Sequence, residues 1–532
     1  MNDWLSYRTQ ISPNQPALIW QDQTWTYAAL NEAVSTMVAQ LVIARVKKGT
    51  HVAVLMPNRP EYVFAIHALA RLGAILIPLN TRLTEDELRW QADHADCTVV
   101  ICSQETERQA LPLFPRQTIP GTVPSAADDT TAPSTKGYFY ERRVLLSVDK
   151  PTKPAVKALQ ISASQASDLP QHPFRLNALQ SIVFTSGTTG YPKGAMLTYA
   201  NQFWSATASS YRLGILPNDR WLLCIPLYHV GGMSIVFRCC LYGTAVMLIE
   251  KFDPDKVNAA LDTGHVTLAS FVPTMLRRLI ETRSNRETSS DRRLPASVRT
   301  ILLGGATAPL DLLERVHAAG WPVVLTYGMT EACSQVATAT PDETHRKPGS
   351  VGKPLMFIEV QIVNDGSRIA NQTYPIGEII VRGPTVMQSY YRDQEAAYEA
   401  LHDGWLHTGD LGYLDEEGDL WIVDRRTDLI VTGGENVYPS EVERVLLSHP
   451  GVQEACVVGV PDPEWGQRIV AALVGVDPDL TAETLIGYCR KHLAGYKIPR
   501  EVQFVQVLPQ TASGKFKRDE VRSLLQAKSR EG

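Results

Sequence analysis

The chain predicts an α/β fold in at least two domains. A large N-terminal domain has layered, largely parallel sheets and a small β subdomain, and a smaller α+β domain follows. Three observations carry this expectation. At 532 residues the chain is too long for one ordinary hydrophobic core. Short apolar strands alternate with helical patterns over residues 26–115 and again from 180, the rhythm of strands joined by crossing helices. The texture then changes after Pro354, and once more beyond residue 428.

In the first region "TYAALNEAVSTMVAQLV" puts Leu30, Ala33, Met37 and Leu41 at helical spacing. "HVAVLMP" and "GAILIPL" are β-rich runs ended by proline, and "CTVVICS" is a third strand. Residues 116–175 are rich in Pro, Ser, Thr and Ala with little apolar periodicity. They read as a long surface excursion, with "ERRVLLSV" as one strand inside it. Strands return at "SIVFTSG", "WLLCIPL", "AVMLIE", "VTLASFV" and "VRTILLGG". "IEVQIVNDGS", "IGEIIVRGP" and "GDLWIVDRR" alternate as a small β subdomain should. The last unit has helix "SEVERVLLSH", strands "EACVVGV" and "RIVAALVGV", helix "AETLIGYCRKHL" and a basic tail. The expected division is 1–423, a link at 424–428, and 429–532, with no internal repeat.

Composition excludes several function classes. The net charge is −5 and the Lys and Arg are scattered, so nothing supports a nucleic-acid surface. Eight cysteines show no CxxC pair and no Cys/His ligand spacing, which suits buried thiols in a reducing compartment. The start, MNDWLSYRTQ, has neither the basic nor the apolar region of a signal peptide, and no apolar run reaches the roughly 20 residues of a membrane span. A soluble, cytoplasmic protein is expected.

The chemistry concentrates at residues 181–197, "SIVFTSGTTGYPKGAML". The stretch is neither a Walker A loop nor G-x-G-x-x-G, because Pro192 stands five residues beyond Gly187 and Ala195 five beyond Gly190. Gly187, Gly190 and Gly194 nevertheless free the backbone to bring N–H groups to an anion. Thr185, Ser186, Thr188 and Thr189 add hydroxyl donors, and Lys193 adds a compact positive charge. A plain surface turn has no need of four hydroxyls and a lysine together.

"TSGTTGYPKG" resembles the phosphate-loop signature of the adenylate-forming superfamily of acyl-CoA synthetases, adenylation domains and luciferases. "TYGMTE", "HTGD", "DRRTDLIVTGGENVYPSEVE" and "PQTASGKFKR" follow in that family's order, so the resemblance covers essentially the whole chain. It implies the adenylate-forming fold, with a mobile C-terminal domain. It also implies a reaction in two halves, in which ATP and an acid give acyl-AMP and pyrophosphate, and a thiol then displaces AMP. ATP, Mg²⁺ and CoA are thus the implied cofactor and co-substrates.

Residue roles follow by the same resemblance. Thr185, Ser186, Gly187, Thr188, Thr189, Gly190 and Lys193 would hold the β- and γ-phosphates. Thr330 would meet the α-phosphate and Glu331 would position Mg²⁺. Gly304, Gly305, Ala306, Tyr327 and Gly328 would form the adenine pocket, with the ring of Tyr327 stacked on the base. Asp410 would accept both ribose hydroxyls and Arg425 would lie on the ribose and phosphate side. Lys515 would bridge the attacking carboxylate and the α-phosphate. The C-terminal domain would turn about Asp428, withdraw Lys515 and bring Gly433 and Gly434 to line the thiol's passage. His229 would stand near the acyl carboxylate.

The acid is suggested by "HVGGMSIVFRCCLYG", "ALQSIVFTSGTTGYPKGAMLTYANQFWSA" and "ACSQVATATPDETHRKPGSVGKPL", which resemble the o-succinylbenzoate–CoA ligases of menaquinone and phylloquinone biosynthesis. That acid has a second carboxylate, for which Arg238, Ser334 and Thr338 are candidate partners. The 116–175 segment is longer than such ligases carry and could cover the acyl pocket. "VGG" after His229, where Ser-Gly is expected, is a second departure. The alternatives are another acyl- or aryl-CoA ligase, a carrier-loading adenylation enzyme, or a non-catalytic relative of the fold. The implied partners are small molecules, with the oligomeric state open and a homo-oligomer included.

Overall fold

The computed structural model describes residues 3–113, 144–149, 174–185, 191–285, 293–306, 308–363, 374–424, 429–475, 480–509 and 516–528. Ser186 to Gly190, Arg425, Asp428 and Lys515 therefore lie outside the described residues.

Two sheets form the body of the N-terminal domain. The nine-stranded one runs in the order 353–354, 334–338, 323–329, 300–303, 268–271, 220–223, 245–248, 16–20, 23–26. It is parallel from 323–329 through to 16–20 and antiparallel at both ends. The six-stranded sheet has the order 144–147, 99–102, 51–55, 75–78, 179–185, 193–198, antiparallel only in its last pair. Strands Val99–Cys102 and Thr300–Leu303 are buried at every position, as strands covered by helices on both faces must be. Helix Tyr27–Ile43 packs Leu30, Val34, Met37, Val38 and Leu41 into that core, while Ala33 is only half-buried.

The strand expected inside the 116–175 segment is present. Val144–Ser147 pairs in parallel with Val99–Cys102 and is an edge strand of the six-stranded sheet. Asp149, just beyond it, holds Arg59 at 2.7 Å. The apolar "VLL" run completes a sheet edge, a pairing that the sequence reading of the strand did not supply.

A third sheet, antiparallel throughout, is built on Trp405–Leu414. Leu420–Asp424 still pairs with that strand, whereas Ile430–Thr432 joins the last sheet, so strand pairing changes hands between 424 and 430. The last sheet carries the hairpin Val452–Asp462 and Gly466–Gly475, packed under helices Pro439–Leu447, Ala482–His492 and Arg518–Lys528. Among the described residues no helix is long and apolar enough to cross a membrane.

Candidate active site

A cavity of about 690 Å³ opens where the C-terminal ends of the N-terminal domain's strands face the turn at 433–436. Its walls come from both domains. Thr185, His229, Gly304, Glu331 and Asp410 stand on one side, and Gly433, Gly434, Glu435, Tyr496 and Lys497 on the other.

At the phosphate end, Thr185 closes strand Leu179–Thr185 and Lys193 opens the next strand, Lys193–Thr198. The Thr185 hydroxyl donates to Glu331 Oε1 at 3.1 Å, and the Tyr390 hydroxyl donates to the same oxygen at 2.9 Å. Glu331 is buried, and Lys193 Nζ lies 5.5 Å from the centre of the Tyr390 ring. A carboxylate held by two hydroxyls, with a threonine beside it, is the sparse oxygen set that Mg²⁺ takes when substrate phosphates complete its shell. The donor chemistry therefore fits that ion.

On the nucleoside side, Asp410 sits within a ten-residue strand and not on a turn, although "HTGD" reads as one. The strand bends locally. Gly409 has φ +71°, its N–H donates to Glu378 Oε1 at 2.8 Å, and the Asp410 N–H donates to the Thr408 hydroxyl at 3.1 Å. Asp410 Oδ2 accepts from the Tyr327 hydroxyl at 2.7 Å. Tyr327 is buried, and its hydroxyl braces the aspartate. The next residue cannot carry a side chain, because a Cβ on Gly328 would lie 1.7 Å from the Ser334 carbonyl oxygen. The ladder shifts register between Tyr327 and Gly328, which is why the two strands touch there. Gly304 and Gly305 line the cavity, and Ala306 does not.

On the acyl side, His229 stands immediately before helix Val230–Tyr242. The glycine at 232 is required, since a Cβ there would lie 2.5 Å from the Pro226 carbonyl oxygen. Further along the same helix Arg238 reaches the cavity wall while almost wholly buried. Its Nη2 donates to the Ser205 hydroxyl at 3.1 Å, its Nε has no partner, and its guanidinium lies 5.7 Å from the Trp221 ring centre. No carboxylate pairs with it among the described residues, and burial pushes its pKa down from the usual arginine value. Nearby, Gln202 Nε2 and Gln335 Oε1 are also buried without partners. Ser334 lines the cavity at φ +93°. Thr338 does not, because its hydroxyl is taken up by Thr326 at 2.8 Å on the paired strand and by Gln335 at 2.9 Å. Gln335 stands at the wall in its place.

The opposite wall contributes Glu435. Its Oε2 lies 3.3 Å from His229 Nε2 and its Oε1 3.0 Å from Arg82 Nη1. Burial works against this charge, and His229 and Arg82 more than offset it, holding the carboxyl below its usual range. Arg82 in turn lies 4.7 Å from the Tyr496 ring centre. Gly433 and Gly434 line the cavity at φ +59° and +83°. The sequence reading missed Glu435, Arg82, Gln335 and Tyr390. Glu435 lay inside a recognised motif, and its charge between two turn glycines and a strand was the available signal.

A family model described as AMP-binding enzyme matches residues 6–391, and one described as AMP-binding enzyme C-terminal domain matches residues 441–515. The 2-succinylbenzoate–CoA ligase of Bacillus cereus (strain Q1) is 40% identical over 526 residues, covering 99% of each chain. That of Bacillus cytotoxicus is 41% identical over 528 residues, again covering 99% of each. Among solved structures, a double mutant of Bacillus subtilis o-succinylbenzoate CoA synthetase bound to its product analogue OSB-NCoA superposes with a TM-score of 0.82 at 37% identity, covering 98% of each chain. The same synthetase with the acyl-adenylate intermediate OSB-AMP gives 0.65 at 38% identity and 98% of each chain. In overall arrangement this chain is nearer to the former.

Proposed function

The chain belongs to the AMP-binding enzymes, and from that premise we propose that it is an ATP-dependent, AMP-forming ligase that converts 2-succinylbenzoate to its CoA thioester. Such a ligase serves menaquinone or phylloquinone biosynthesis. Eight buried, unbridged cysteines suit a cytoplasmic location.

In the first half-reaction a carboxylate oxygen bonds to the α-phosphorus of ATP and the bond to the β-phosphate bridge breaks, giving acyl-AMP and pyrophosphate. Negative charge grows on the phosphates, so fixed donors and positive charge must be aimed there. Thr185, the loop to Gly190 and Lys193 supply the donors, Thr330 the α-phosphate contact, and Glu331 the anchor for the metal. Glu331 would hold a magnesium ion, whose charge would offset that of the phosphates. Asp410, braced by Tyr327 and Thr408, accepts from the ribose hydroxyls, with Arg425 beside it. Lys515 bridges carboxylate and α-phosphate. In the second half-reaction the CoA sulfur bonds to the acyl carbon, the acyl–phosphate bond breaks, AMP leaves and the thiol proton is lost. The wall of Gly433, Gly434 and Glu435 serves this step, entered by rotation about Asp428.

The observation that carries the choice of acid is Arg238. Among the described residues this buried guanidinium has one hydroxyl partner and no carboxylate, which is costly by itself, and a ligand that brings a carboxylate completes it. Monocarboxylic acids of benzoate or fatty type leave it unpaired. The test is pyrophosphate release and thioester formation with ATP, Mg²⁺ and CoA across 2-succinylbenzoate, benzoate, hexanoate and coumarate. Selective turnover of 2-succinylbenzoate is expected. Preference for another acid in the panel overturns the substrate, and adenylation without transfer to CoA points to a carrier-loading enzyme.

A further inference from the structure

Lys497 lies at the junction of the two domains and has no task in the mechanism above. Its ammonium is 2.6 Å from Glu441 Oε1 and 2.7 Å from Glu87 Oε1, and only 3% of the residue is exposed. The three groups come from separate elements. Lys497 ends the short turn Gly495–Lys497, Glu441 lies in the first turn of helix Pro439–Leu447, and Glu87 lies in the first turn of helix Glu85–His94 of the N-terminal domain. Glu87 is thus the member that crosses between domains.

The two carboxylates are held differently. Glu87 Oε2 accepts from the Thr84 N–H and hydroxyl, closing a capping box, so its Oε1 is aimed before any lysine arrives. Among the described residues Glu441 Oε2 has no partner, and Lys497 is the cation that pairs with Glu441. A domain that leaves this position carries Lys497 and Glu441 away still paired and leaves Glu87 capped. Within this triad, undocking therefore breaks one ion pair and strands no buried lysine. Around the triad, Tyr496 places its ring 5.6 Å from Lys497 Nζ, and Arg82 covers that ring on the cavity side.

We propose that the Glu87–Lys497 pair is the latch of the thioester-forming arrangement: Lys497 is a positioning residue that holds Gly433 to Glu435 over His229, and it takes no part in adenylation. The inference rests on the reading of the chain as a two-step ligase. It goes beyond that reading by assigning the docked lifetime to one pair of side chains.

The experiment uses full-length Glu87→Gln, which keeps an oxygen for the capping box, and Lys497→Met as a second variant. Two readouts are taken. The first is energy transfer between dyes on cysteines placed at exposed Arg108 and Lys491, feasible because every native cysteine is buried. The second is the rate of each half-reaction, by ATP–pyrophosphate exchange and by thioester formation from supplied 2-succinylbenzoyl-AMP and CoA. Both variants are expected to shift energy transfer away from the docked distribution and to slow thioester formation about tenfold, as loss of one buried charge pair should. Pyrophosphate exchange should stay within about twofold of native. An unchanged transfer distribution overturns the latch, and so does an equal fall in both half-reactions, which marks a merely structural role. If the native enzyme makes no thioester from the adenylate, the functional reading fails, while the energy-transfer arm still decides the docking.

Discussion

The wall of the cavity that belongs to the N-terminal domain is anchored in strands buried along their whole length, whereas the wall that belongs to the C-terminal domain meets it mainly through charges and ring faces. Val99–Cys102 and Thr300–Leu303 show no exposed position. Across the junction stand Lys497 with Glu87, Glu435 with Arg82 and His229, and Arg444 4.3 Å from the ring centre of Tyr191, itself stacked on Trp90 at 5.2 Å. Ala494 and Tyr496 are the apolar residues from that side that reach the core around Leu55. Apolar burial at about 25 cal/mol per Å² accumulates into something no turnover can undo. Ion pairs and stacked rings contribute a few kcal/mol each and can be made and broken in every cycle. A fixed wall suits the activation of the acid, and a removable one suits the exchange of pyrophosphate for a thiol.

The comparison breaks most visibly at Glu331 and Lys515. Replacing either by alanine is expected to slow pyrophosphate exchange by about 10²–10³-fold, the size seen when one group aimed at developing charge is removed. Thioester formation from supplied acyl-AMP should change only a few-fold, since that step draws on the other wall. Equal loss in both assays would erase the division of labour.

Arg238→Met sharpens it on the fixed side. Losing a charge-assisted contact to the distal carboxylate should lower kcat/KM for 2-succinylbenzoate by about 10–100-fold, or roughly 1.5–3 kcal/mol. The melting temperature should hold or rise, because an uncompensated buried guanidinium is replaced by an apolar side chain of similar length. A variant that melts earlier with unchanged kcat/KM would make Arg238 structural.

Gly328→Ala probes the same wall through folding. Its Cβ would lie 1.7 Å from a backbone oxygen, and strands there must part. A loss of about 1–3 kcal/mol is expected from urea midpoints. Gly214→Ala, where a Cβ meets nothing within 4 Å, is the control for backbone strain alone, since φ is +72° there.

The smallest effect at neutral pH separates the walls by acid. His67 is buried against Phe237, and burial brings its pKa down to about 4. The unfolded chain takes up that proton near pH 6.5 while the folded one does not, so stability falls as pH drops from about 6.5 to 4, by up to about 3 kcal/mol. Glu435 also loses its contribution on acidification, but only at lower pH. Its carboxyl is held below the usual range, so its contact survives until the pH falls through that lowered value. Urea midpoints against pH, with His67→Gln as the flattened control, should show the N-terminal domain weakening first. Undocking at pH 6 with an unweakened core would contradict the assignment.

How far the sequence could be read follows the same division. The donor-rich run from Thr185 to Lys193 stood out because glycines, hydroxyls and one charge crowd together there, whereas Glu331 and His229 stood out only through the motifs around them. Most strands of the fixed wall were legible from apolar runs bounded by glycine and proline. The bond between Tyr327 and Asp410 was not, because the two lie 83 positions apart on different sheets. Gln335 at the cavity wall was not legible, because a register shift and the positive φ of Ser334 reset which side chains face inward. Glu435 against His229 and Lys497 against Glu87 depend on where one domain rests on another, and no spacing along the chain encodes that.

The most direct test of the central claim is a single-turnover experiment in which enzyme in excess over 2-succinylbenzoate is mixed with ATP and Mg²⁺, and CoA is added afterwards. Pyrophosphate and enzyme-held acyl-AMP stoichiometric with the acid are expected before CoA, and AMP with thioester only after it. Release of AMP at the full rate without CoA, or no pyrophosphate until CoA arrives, would contradict it.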